Sequence, residues 1–193
     1  MPWAKNFDVD QTLDKAMRLF WVRGFEATSM EDLVQGMGIN RGSIYSTFGD
    51  KRKLFIAALN QYNVKCRKAQ LAALEHEHSP KAAIKALFYE WIDRAMSDPE
   101  NSGCFLTNTA LELAAHDKDI GEIVAQSQRE IEKFFCRLIK KGQETGEISM
   151  SISPTKTAQS LLAALIGLLV LSRSRPDRNL LKSIASGAMA SLA

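Results

Sequence analysis

Apolar residues recur every three or four positions through almost all of this 193-residue chain, and that period leaves little room for anything but helices. Leu13, Ala16, Met17, Phe20 and Trp21 share one face of a first helix that Gly24 ends. Ser29, with Asp32 three residues on, reads as the cap of a short second helix through Met30, Leu33, Val34 and Met37, stopped by Gly38. Asn40 caps a third, which runs to about Phe48 and closes at Gly49. Asp50 caps a long fourth through Leu54, Phe55, Ala58, Leu59 and Tyr62. Ser79-Pro80 opens a fifth, with the stripe Ile84, Leu87, Phe88, Trp91, Ile92 and Ala95. A sixth carries Leu106, Thr109, Ala110 and Leu113, and a seventh runs from about Asp119 to Glu144. Pro154 opens an eighth, Pro176 breaks it, and Leu180 to Leu192 mark a ninth. The expectation is an all-α fold of about nine helices, with no convincing strand.

The first three helices are too short to bury a core alone and lean on the fourth. That divides the chain into an N-terminal unit, residues 1–50, connected through helix 51–76, and a helical unit, residues 51–193. The net charge of +3 and pI near 8.8 are only mildly basic. Residues 1–53 hold eight Lys and Arg against seven Asp and Glu. Charge by itself therefore argues for no polyanionic partner. Three cysteines with no Cys-x-x-Cys spacing point to a reducing compartment. The stretch MPWAKNFDVDQ lacks an apolar signal core, so no export signal is expected. The longest apolar run, Leu161 to Leu171, is too short to span a bilayer and reads as a buried helix. The expected location is the cytoplasm, with no membrane partner.

The second and third helices, joined through Gly38-Ile39-Asn40, have the spacing of a helix-turn-helix unit, whose second helix enters the DNA major groove. In the stretch INRGSIYSTFGDK, Ile39, Ile44 and Phe48 anchor the helix. Arg41, Gly42, Ser43, Tyr45, Ser46 and Thr47 are left outside. Arg, Ser and Thr hydrogen-bond base edges and phosphates, and Gly42 permits close approach of the backbone. A bland reading stands beside this one: Tyr45 as a half-buried packing residue, Lys51-Arg52-Lys53 as a solvated helix start.

The segment TSMEDLVQGMGINRGSIYSTFGDKRKLF resembles the DNA-binding signature of the tetracycline-repressor-like (TetR) regulators, roughly Thr-x-x-x-Ile-Ala-x-x-Ala-Gly-Val-x-x-Gly-x-Ile-Tyr-x-x-Phe-x-x-Lys-x-x-Leu. The match falls on Thr28, Leu33, Gly38, Ile39, Gly42, Ile44, Tyr45, Phe48, Lys51 and Leu54, with Ala16, Phe20 and Gly24 upstream. It covers residues 10 to 55; beyond them the likeness rests on helix count and the phrase GCFLTNTALELAAHD. The chain departs at Val34-Gln35-Gly36-Met37, where the family has Ala-x-x-Ala, and bulkier packing there is expected to tilt the third helix slightly. The resemblance implies phosphate contacts from Thr28, Ser29, Tyr45 and Lys51, and base contacts from Arg41 and Ser43.

The resemblance also implies a ligand pocket between the fifth to seventh helices. Phe88, Trp91, Phe105 and Phe134 are its candidate walls, and Asn108, Thr109, Glu112 and Gln128 its candidate polar groups; plain core is the competing reading of the aromatics. Cys104 stands at the start of the sixth helix, where a thiol's pKa falls, and reads either as a redox or electrophile sensor or as a small packing residue. His76 and His78, two apart, do not share a helix face, and no metal or cofactor is expected.

The eighth helix is apolar around its whole circumference and must be covered on all sides. Ala163, Ala164, Gly167, Ser186, Gly187 and Ala188 permit close helix approach. The resemblance implies a four-helix dimer interface, with Leu161, Leu165, Leu168, Leu169, Leu181, Ile184 and Ala188 as its candidates; burial of both helices within one subunit is the alternative. The function implied is a homodimeric, ligand-responsive transcriptional regulator, most often a repressor, that binds a palindromic double-stranded DNA operator and is released by a small-molecule effector or electrophile. A thiol-based helical enzyme around Cys104 and an interaction module that no longer binds DNA are the competing readings.

Overall fold

The computed structural model describes residues 7–193; residues 1–6, most of the stretch read for an export signal, lie outside them. Among the described residues the chain forms nine helices and no strand, as expected. They are α1 (Val9–Arg23), α2 (Met30–Met37), α3 (Arg41–Phe48), α4 (residues 51–77), α5 (Pro80–Ser97), α6 (Phe105–Glu112), α7 (Lys118–Glu144), α8 (Pro154–Ser174) and α9 (Arg178–Ala190). One feature of α4 has no trace in the apolar pattern: its middle turns, Asn63–Lys68, are π-helical.

Local chemistry sets the helix ends. The Ser29 hydroxyl accepts from the Asp32 amide while the Asp32 carboxylate accepts from the Ser29 amide, a complete capping box on α2. Asn40 accepts from Ser43 N at 2.8 Å and Asp50 from Lys53 N at 2.7 Å. Each such cap contributes about 1 kcal/mol. Gly38 terminates α2 in the left-handed region, with φ of 72°. Ser79 makes no cap of its own; its hydroxyl donates to Glu147 across the fold.

α1, α2 and α3 pack around the first half of α4 and form a head. Ala16, Phe20, Leu33, Met37, Ile44, Leu54 and Phe55 are its buried centre. The bulk of Met37 is absorbed there, and Gly36 beside it leaves room for Leu19 of α1, whose Cδ1 would stand 2.4 Å from a Cβ at that position. An aromatic chain joins head to body: Phe20 meets Phe55 at 5.0 Å, Phe55 meets Phe105 of α6 at 5.4 Å, Phe105 meets Tyr62 at 5.7 Å, and Tyr62 meets Trp21 at 4.9 Å, all edge-on. Such pairs are worth about 0.5–1.5 kcal/mol each beyond their burial. In the body α7 packs along α8, and α9 closes over α8 and α5.

Candidate nucleic-acid interface and cavity

The caps of α2 and α3 fix what α3 presents. Ile44 is fully buried beneath it. Arg41, Gly42, Tyr45 and Ser46 are exposed, and Ser43 is half-buried. Arg41 sits at the first position of α3, beside free amides, and makes no ion pair among the described residues. Tyr45 is 46% exposed, too open for a packing residue. Ser29, exposed at the start of α2, has its hydroxyl engaged with Asp32. That hydroxyl, with the Ser29 amide and Arg23, holds the Asp32 carboxyl down to about 2.

Two of the nine residues expected here turn their hydroxyls inward. Thr28 is fully buried and its hydroxyl donates to the Gly24 carbonyl at 2.6 Å, so it closes the α1–α2 turn and has no side-chain atom for a phosphate. Thr47 is half-buried, and its hydroxyl oxygen is enclosed without a partner. Lys51 is half-buried with Nζ 4.3 Å from the centre of the Phe25 ring.

Sequence reasoning missed the polar clamps between head and body. Arg52 of α4 donates through Nε and Nη2 to Asp117, at 2.6 and 2.8 Å, and through Nη2 to Asp119 at 2.7 Å. Asp117 also caps α7, accepting from Ile120 N at 3.1 Å, and Arg52 foremost holds its carboxyl down to about 2. Glu112 accepts from the amides of Phe25 at 3.2 Å and Glu26 at 2.9 Å, and Trp21 Nε1 donates to the Gly103 carbonyl at 2.8 Å.

A cavity of about 40 Å³ lies between α4, α5, α6, α7 and α8. Trp91 and Gln128, both expected, line it; so do Cys104, which was read as a sensor or packing residue, and Tyr62, Arg67, Leu106, Thr107 and Ser127, which were not expected. Phe88, Phe105 and Phe134 are fully enclosed and line no part of it: Phe105 belongs to the aromatic chain, and Phe88 stacks on Phe135 at 6.3 Å. Thr109 is buried, its hydroxyl donating to the Phe105 carbonyl at 2.9 Å. Asn108 donates to the Ser102 carbonyl at 2.7 Å and Glu112 serves the clamp above; both border a surface groove beside Gly24. Cys104 does stand at the cap of α6, but it is buried, and the Tyr62 hydroxyl approaches its sulfur at 3.6 Å. Burial pushes the Cys66 thiol up.

The expected interface residues of α8 and α9 also need correcting. Leu161, Leu165, Leu168, Leu169, Leu181 and Ala188 are buried within the single chain, and only Ile184 is partly open. Leu165 and Leu169 are cavity wall. Among the open positions of α8 are Ser160 and Ala163, exposed, and Gly167 and Val170, half-open, with Ser183, Gly187 and Ala190 exposed on α9. α8 as a whole is long and apolar enough to cross a membrane by length and composition, and 33% of its most apolar window is buried. The eleven-residue run understated its length; core helices of soluble proteins satisfy the same test.

Comparison with known proteins agrees with this geometry. Residues 13–58 match the family model described as bacterial regulatory proteins, tetR family, and residues 80–187 match the tetracyclin repressor-like C-terminal domain. The HTH-type transcriptional repressor ComR of Escherichia coli is 31% identical over 186 residues, 94% of this chain and 87% of that one. The uncharacterized HTH-type transcriptional regulator YezE of Bacillus subtilis is 33% identical over 146 residues, 75% of each. Among solved structures, a cysteine mutant of the TetR family regulator CifR complexed with 26bp double-strand operator DNA superposes with a TM-score of 0.87 at 26% identity, covering 98% of this chain and 99% of that one. Reduced E. coli NemR, at 19% identity and a TM-score of 0.86 over 95% and 96% of the two chains, shares the fold.

Proposed function

The chain belongs to the tetR family of bacterial regulatory proteins, and from that premise we propose that it works as a cytoplasmic homodimeric repressor whose two α3 helices read a palindromic operator and whose cavity takes the releasing effector. Binding double-stranded DNA to regulate transcription is the activity of this family, and enzymatic turnover is not.

The observation that carries the DNA-reading half is Arg41: exposed, at the first position of α3, and without an ion-pair partner among the described residues. In this reading Arg41 and Ser43 meet base edges. Ser29, Tyr45, Ser46 and Lys51 meet phosphate, helped by the amides at the start of α2. One eight-residue helix reads few bases, so a two-fold pair spaced by about 34–36 Å supplies the rest. The small residues left open on α8 and α9 support a second copy as their cover.

Release follows from α4. Its first turn borders α3 and carries Arg52; its later turns carry Tyr62 and Arg67 into the cavity wall. A ligand that favours one setting of α4 over another shifts the separation of the two α3 helices.

The test is Arg41→Ala in a binding assay with the DNA upstream of the coding region, against scrambled DNA of equal length. Loss of about 1–3 kcal/mol per half-site on the operator alone is expected. An affinity unchanged on both, or reduced equally on both, defeats the assignment of α3.

A further inference from the structure

Arg67 lies in the π-helical stretch of α4 and is only 7% exposed. Its Nε donates to Asn63 Oδ1 at 2.5 Å and its Nη2 to Glu130 of α7. Its Nη1 is enclosed and meets no acceptor among the described residues. Arg67 also lines the cavity. A buried guanidinium donor left unmet costs about 1–3 kcal/mol, so a fold that keeps one beside a void is incomplete there without an acceptor. π-helical turns are rare and concentrate at functional sites. Here, among the described residues, the turn carries the arginine that lines the cavity.

We propose that the cavity is a binding site for a small monocarboxylic acid, whose carboxylate accepts from Arg67 Nη1. This rests on the cavity being the effector site and names the effector's class. Local charge favours an anion: Glu130 answers two cations, Arg67 and Lys68, the latter with Nζ at 3.5 Å. Arg67 is the cation in the cavity's lining among the described residues, and Glu130 shares its charge with Lys68, which suits a monoanion; a doubly charged phosphate would bring more charge than that one guanidinium balances. The hydroxyls of Thr107 and Ser127 stand in the same wall, available to the second carboxylate oxygen. Leu106, Val124, Ile131, Leu165 and Leu169 add an apolar surface for an aliphatic or aromatic body. At about 40 Å³ the open space holds only a few waters. A six- or seven-carbon acid is larger than that space, so its entry pushes on α4 and α8. The π turn, one of the walls moved, is continuous with the helix that carries Arg52 at the head.

The experiment uses the full chain with hexanoate and benzoate, and with hexanamide and benzamide as uncharged matches of the same shape. Two readouts are taken: thermal midpoint, and affinity for operator DNA. The carboxylates are expected to raise the midpoint and weaken operator binding, and the amides to need at least about tenfold higher concentration for either effect. Arg67→Gln should still bind operator while its response to carboxylates weakens by about tenfold or more. Should that variant not fold, the side-chain 15N–1H resonances of Arg67 in the unaltered protein decide: they move with benzoate and stay with benzamide. Equal action of acids and amides, an unchanged response in Arg67→Gln, or carboxylates without effect on a protein that binds operator normally would each overturn the proposal. Failure of the unaltered protein to bind operator specifically is a separate result. It defeats the regulator reading, while midpoint and resonance still report on the site.

Discussion

Gly167 offers a test in which one methyl group acts with opposite signs on the chain and on the dimer. A Cβ built at Gly167, midway along α8, meets no atom of its own chain within 4 Å. Inside a helix Gly→Ala stabilises a chain by about 0.5–1 kcal/mol, because glycine loses more freedom on folding. That gain acts through the unfolded state and cancels when folded monomers associate. In the proposed dimer the same methyl points at the partner across a surface of small residues. Overpacking there costs about 1–3 kcal/mol per site, and two-fold symmetry doubles it to about 2–6 kcal/mol. The dimer dissociation constant should then rise by about 30-fold to 10⁴-fold. Sedimentation over a concentration series reads that constant, and urea unfolding at the dilute end reads the chain. Gly187→Ala on α9, equally open, should behave alike. A Gly167→Ala protein that unfolds later and associates as tightly as before would refute α8 as the interface.

Other outcomes follow from the same geometry. Lys51→Ala should weaken operator and scrambled DNA alike, and make the slope of log affinity against log salt shallower by about 1 per half-site. The Asp32 and Asp117 carboxyls are both held near 2, below the ordinary 3.8, so the stability they lend is whole above about pH 4 and drains as pH falls towards 2. Urea midpoints between pH 5 and pH 2 check this, and Asp117→Asn should flatten part of the fall; an unchanged profile would mean that the Arg52 clamp does not act in solution. Cys104, buried beneath Tyr62, should be alkylated more slowly than Cys66 or Cys136 in the resting protein and faster when the cavity is forced open by ligand. Peptide mapping after a brief iodoacetamide pulse reads the order, and faster labelling of Cys104 at rest would restore the exposed-sensor reading.

What the sequence disclosed and what it hid divide along physical lines. Helix ends were legible because a cap is a conversation between residues three apart: Ser29 with Asp32, Asn40 with Ser43, Asp50 with Lys53. The exposed face of α3 was legible because period fixes which side Ile44 buries. The cavity was not. An apolar stripe says that Phe88, Phe105 and Trp91 leave water, but not whether they meet another ring or a void, and only Trp91 met the void. α8 failed for a related reason: a helix apolar all round gives no phase, so Leu161 and Leu165 turned inward and left the small residues outside. Arg67, Glu112 and the pair Arg52 and Asp117 act across 63 to 87 residues of chain, where no local pattern reaches.

The junction between head and body brings these pieces together. Its rim is polar: the Arg52 clamp, and Arg18 with Glu100, are ion pairs with half-exposed partners. Pairs of that kind contribute little in water and re-form easily with other partners. Its centre is dry, an edge-on run of Phe20, Phe55, Phe105 and Tyr62 that no solvent enters. Breaking the rim costs little and opening the centre costs much, so in the proposed switch the head rocks about the aromatic run, with rim partners exchanged. α4 spans both ends of that motion: from Arg52 to Arg67 it rises about 22 Å. A displacement at its π turn therefore reaches α3 through a rigid element and asks only the weak contacts to yield.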